Sequence, residues 1–147
     1  MSEEKVSVVE KRVRRIQNQL DYTDEEIDVF RSDPKKMKAL IDGKQFALHE
    51  MVVEIIDAHN CVMGYKPGDR FVIDREGALC VDECPPKLCV GAISAFKPLT
   101  DRMVQAFYDG KCDVLIDTVH CPDVGIREGG WGMVTMRIRA RVRNWEC

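Results

Sequence analysis

No stretch of this chain approaches the roughly 18 consecutive apolar residues that a membrane-crossing helix needs. The opening MSEEKVSVVEKRVRR carries no apolar run of signal-peptide length. Both absences lead us to expect a cytoplasmic protein with no membrane contact. Charge of one sign is also missing: 22 Lys and Arg against 25 Asp and Glu leave a net −3, which exerts no global pull on nucleic acid. Aromatic residues are few, at 7%. No Cys-x-x-Cys occurs, so the dithiol-oxidoreductase signature is absent.

Cysteine itself is abundant, at seven in 147 residues. In a reducing compartment an odd, dense set of thiols points away from a disulfide framework and toward metal binding, reactive chemistry or plain burial.

Residues 1–45 read as a helical arm. Val6, Val9, Val13, Ile16 and Leu20 recur at alternating spacings of three and four, an apolar seam on a charged helix. The seam is too short to stand alone in water and must dock, either on its own body or on a second subunit. This is the expected route to a homo-oligomer or to a larger enzyme partner. Lys11, Arg12, Arg14 and Arg15 are interleaved with glutamates and read as a solvated face. Thr23-Asp24-Glu25-Glu26 has capping-box form, so a second helix begins there. Asp33-Pro34 is an N-cap and first-position pair for a third helix, stopped by Gly43.

Residues 46–147 change period. MVVEIID and RFVID are strands joined through a turn at Lys66-Pro67-Gly68-Asp69, and CPPKLCVGAISAFKPLTDRMVQAFY is a helix bent or broken at Pro98. VLIDTV and MVTMRIRARV are further strands. The expectation is an α+β domain, with an antiparallel sheet and one main helix in the order β-β-α-β-β. In the last strand Val134, Met136, Ile138, Ala140 and Val142 alternate with Thr135 and four arginines, 137, 139, 141 and 143. One face is core. The other is a guanidinium ladder, which without interleaved aromatics is better matched to neighbouring carboxylates such as Glu54 or Asp57 than to nucleic acid.

The block Cys61-x-x-Gly-Tyr-Lys-Pro-Gly-Asp-Arg-Phe, then Leu88-Cys89, Tyr108-Asp109-Gly110 and Cys121-Pro122-Asp123-Val124-Gly125 resembles a family of small uncharacterised bacterial and archaeal proteins. The likeness covers roughly residues 51–143. The chain departs from the family pattern at Val90-Gly91-Ala92-Ile93, where many relatives carry tryptophan. The family has no assigned activity, so the resemblance implies the domain and the importance of Cys61, Cys89 and Cys121, not a reaction.

If a helix begins near Pro85, its free N–H groups and positive dipole end favour a thiolate at Cys84 or Cys89. Cys61, Cys84, Cys89 and Cys121 are therefore the candidate metal ligands, for zinc or for an iron–sulfur cluster, since soft thiolates select both. His59 and His120 lie beside two of them, and along a strand His59 and Cys61 point to one face. The expected function is a metal-binding accessory or interaction subunit with a structural or electron-transfer role. Two alternatives stay open. One is a small enzyme in which Cys89 or Cys121 is a nucleophile or open-site ligand, His120 the base and Asp123 its orienting group. The other is a metal-free interaction module with buried thiols. Cys80, Cys112 and Cys147 read as incidental. In the loop CPDVGIREGGWG, Asp123, Arg127 and Glu128 are candidate polar groups, or the loop is a wide hairpin whose Trp131 closes the core edge.

Overall fold

The computed structural model describes residues 3–43, 47–111 and 115–143. Cys112 and Cys147 lie outside the described residues. Three helices open the chain: α1 (Glu3–Leu20), α2 (Asp24–Ser32) and α3 (Pro34–Asp42). Each begins or ends where local chemistry dictates. Thr23 Oγ1 accepts from Glu26 N–H while Glu26 reaches back to Thr23 N–H, the reciprocal pair that starts α2. Asp33 accepts from Lys35 and Lys36 N–H, Pro34 fills the first turn of α3, and Gly43 caps its end.

The arm closes on itself. Val13 is 1% exposed and Ile27 is buried, whereas Leu20 faces solvent. Arg12, from the cluster read as a solvated face, donates instead to the carbonyls of Leu40 (2.6 Å) and Ile41 (3.2 Å). A cation there satisfies acceptors that the end of α3 leaves open and complements its negative pole.

The body has the expected order. β1 (His49–His59) and β2 (Arg70–Ile73) are followed by α4 (Val90–Tyr108), β3 (Leu115–His120) and β4 (Met133–Val142). All pairings are antiparallel, in the spatial order β2-β1-β4-β3. α4 carries the chain between the two edge strands across one sheet face. It buries Ala92, Phe96, Thr100, Met103 and Phe107, a helical stripe, and runs unbroken through Pro98. Opposite it stand Met51, Val53 and Ile55 of β1, Phe71 and Ile73 of β2, and Val134, Met136 and Ile138 of β4. Phe71 sits centrally, 5.6 Å from Tyr65 edge-on and 5.2 Å from Phe96.

On the reverse face Arg141 finds two carboxylates. Arg141 Nε donates to Glu50, which is 3% exposed, and Nη2 donates to Glu83 at 2.7 Å. Glu83 also meets Arg70 at 3.3 Å, so one carboxylate spans β2 and β4 across β1. Arg137 lies opposite Glu54 in register, as expected, whereas Asp57 lies opposite Thr135. No helix among the described residues is long and apolar enough to cross a membrane.

Candidate functional site

Strand direction decides where the thiols go. β1 ends at His59, β3 ends at His120, and β4 begins at Met133, which is registered against His59. These ends all fall on one edge of the sheet, and α4 begins above it. Cys61 follows β1 by two residues, Cys121 follows β3 directly, and Cys89 is the N-cap of α4. The three line a single pocket of about 190 Å³ together with Tyr65, Pro122 and Asp123.

Tyr65 ties the turn after Cys61 to the segment that carries Cys89. It is 5% exposed, and its hydroxyl donates to Lys87 C=O (2.7 Å) and accepts from Cys89 N–H (2.8 Å). Burial raises its pKa, so the phenol stays neutral and able to donate. Cys121 extends the β3–β4 ladder: its N–H donates to Val134 C=O (2.9 Å), and Val134 N–H points at its sulfur (3.3 Å). Gly91 leaves room for Pro122 against Cys89. A Cβ there would stand 3.4 Å from Pro122 and 3.6 Å from the Cys89 sulfur.

Asp123 holds the rear loop. Its Oδ1 accepts from Gly125 (3.0 Å) and Trp131 (2.9 Å), and Oδ2 accepts from Gly132 (3.1 Å). Those N–H groups, Gly125 foremost, hold its pKa below the ordinary carboxylate value. Because the folded value is depressed, the loop's stabilisation is complete above the unfolded carboxylate pKa and is lost as pH falls through the folded one. We therefore expect acid to loosen the loop before it unfolds the sheet, read as lost amide-exchange protection at Gly125, Trp131 and Gly132, whose N–H groups Asp123 holds. Asp123→Asn should abolish that acid step; an unaltered step in the variant would show that another group governs it.

Cys84 is elsewhere. The helix does not start at Pro85; a short 3₁₀ turn over Val81–Glu83 precedes it, residues 84–89 form no regular element, and α4 waits until Val90. Cys84 Sγ instead donates to Val72 C=O (3.8 Å), and burial raises its pKa, as it does for nearby Cys80. Both are thiols used as packing groups. The histidines are not brought in either. A bulge after Ile55 shifts the face parity of β1, and Asn60 turns the chain at φ 52°, so His59 faces solvent and meets Asn60 Nδ2. His120 meets Thr135 Oγ1 at 2.9 Å, while both Asp123 oxygens are occupied by loop N–H groups. The base and orienting group of the enzyme reading are thus not paired. Trp131, expected to close the core edge, is 75% exposed. Lys66-Pro67-Gly68-Asp69 is the expected turn, with Asp69 N–H to Lys66 C=O at 3.0 Å.

Tyr65 was legible only as part of a turn. Its burial and double hydrogen bond depend on α4 arriving from 24 residues away. Among the described residues no three His, Cys, Asp or Glu side chains stand close enough together to grip one metal ion. The three cysteines line one pocket. No family model, curated protein or solved structure matches this chain.

Proposed function

We propose that this domain is a metal-binding accessory protein in which Cys61, Cys89 and Cys121 offer thiolates to a soft metal centre, with an electron-transfer or structural role. The observation that carries this is the convergence of three thiols from three separate elements on one pocket. The size of that pocket bears on the occupant. A lone zinc draws its sulfurs in to about 2.3 Å and leaves no void between them. A space of about 190 Å³, with no ligand trio close enough for one ion, suits a multi-atom group such as an iron–sulfur cluster. Three protein thiols leave one metal position for a different ligand.

Anaerobic purification of the full chain, followed by metal analysis and an absorption spectrum, tests this. We expect iron, with thiolate-to-iron bands in the visible. Cys89→Ser should lower the metal content at least tenfold, and Cys84→Ser should leave it unchanged within twofold. Metal-free wild-type protein, or equal losses in both variants, would count against the proposal. A second reading is supported by one detail: Cys89 caps α4 without using its side chain in a hydrogen bond, so its sulfur is available beside free N–H groups. Metal-free protein in which Cys89 alone is alkylated rapidly would favour that enzyme-like reading.

A further inference from the structure

Among the described residues that line the thiol pocket, Met63 is the only one besides the cysteines whose side chain carries a soft donor atom. It stands two residues after Cys61, in a tight turn closed by Gly64 N–H donating to Cys61 C=O at 2.9 Å. Tyr65 then ties the far side of that turn to the segment that carries Cys89. The backbone is thus held by hydrogen bonds on both sides of Met63. The core does not use this methionine. Met51, Met103 and Met136 are at most 1% exposed and belong to the core, whereas Met63 is 36% exposed and stands outside it. Its long, unbranched thioether adapts readily to the shape of a site.

The competing donors are engaged or of the wrong kind. Both Asp123 oxygens accept from N–H groups of the rear loop, and carboxylate oxygen suits harder cations. The Tyr65 hydroxyl donates to Lys87 and accepts from Cys89, and burial keeps it protonated, so it offers no phenolate. His59 and His120 do not line the pocket, and the remaining lining residues have apolar side chains or none.

We propose that Met63, through its thioether sulfur, is the fourth protein ligand of the centre held by Cys61, Cys89 and Cys121. The inference rests on the metal-binding reading and deepens it: the position that three thiols leave is filled from within the chain, by the turn that follows the first of them. The consequence is electronic. A neutral thioether leaves the centre with one negative charge fewer than a set of four thiolates would, which raises its reduction potential relative to that set. It also closes the centre to small external ligands, which favours electron transfer or a structural role over chemistry on a bound substrate.

The full chain, purified anaerobically as wild type, Met63→Leu, Met63→Cys and Val62→Ala, tests this. Met63→Leu should lose iron to a chelator roughly tenfold faster than wild type, with unchanged circular dichroism. Added imidazole should change the visible spectrum of Met63→Leu, whose fourth position is open, and leave that of wild type as it was. Met63→Cys should retain its iron at a lower midpoint potential, because a thiolate replaces a neutral donor. Val62→Ala, at an exposed neighbour that also lines the pocket, should match wild type in every readout. Iron-loaded wild type that already responds to imidazole, or Met63→Leu that matches wild type in iron release and potential, would overturn the proposal and leave the three-thiol reading standing. Metal-free wild type would overturn both.

Discussion

Arg141→Ala should destabilise the domain by about 3 kcal/mol, lowering its melting temperature by roughly 10 °C. The reason is the carboxylate left behind. Glu50 is 3% exposed and its charge is met by Arg141, whose side chain is 24% exposed. Removing one partner of a buried pair costs about 3–5 kcal/mol, because the survivor keeps its desolvation penalty without its compensation. The partial exposure of Arg141 sets the lower end of that range. Glu83 loses less, since it retains Arg70 at 3.3 Å. If the penalty belongs to the stranded charge, the double variant Glu50→Leu/Arg141→Met should recover most of the loss. Denaturant unfolding measures both. A single-variant change within about 0.5 kcal/mol, the range of ordinary surface substitutions, would show that the pair does not act as described.

Gly132→Ala should cost about 3 kcal/mol, the upper end for overpacking, and should also disable the thiol pocket. A Cβ at this position would overlap the carbonyl of Asn60 and press on that of His59. Both are backbone groups, so no rotamer change relieves the clash. The rear loop must lift away from the end of β1, carrying Asp123 with it and separating Cys121 from Cys61. Gly91→Ala is the internal comparison. Its Cβ would meet Pro122 and Cys89 at 3.4–3.6 Å, close to ordinary contact, and its effect should stay below about 1 kcal/mol. Equal stabilities for the two variants by thermal unfolding would contradict the proposed close approach.

Much of the frame was readable because its causes are local. The Thr23 capping box, the Asp33-Pro34 start and the alternation through Val134–Ala140 each need only neighbours in sequence, and each forms as expected. The arginine ladder was readable for the same reason, although Glu54 and Asp57 were the expected partners and Arg141 pairs instead with Glu50 and Glu83. The site was readable in part. That Cys61, Cys89 and Cys121 meet follows from antiparallel strands ending on one edge, a consequence of topology. What misled was detail finer than topology. Pro85-Pro86 suggested a helix start, yet residues 84–89 form no helix, α4 waits until Val90, and Cys84 lies against Val72. A one-residue bulge in β1 turned His59 away. Bulges and short turns are set by what packs across them, which a single sequence does not display.

The claim on which this account turns is that three sulfurs share one occupant. Metal content of anaerobically prepared protein, with X-ray absorption at the metal edge, tests this directly. The account predicts iron in an all-sulfur shell of sulfide and thiolate together, with bound iron falling at least tenfold in Cys61→Ser, Cys89→Ser or Cys121→Ser and unchanged in Cys84→Ser. A shell with no sulfur, or a metal content unaffected by substitution at residues 61, 89 and 121, would contradict it.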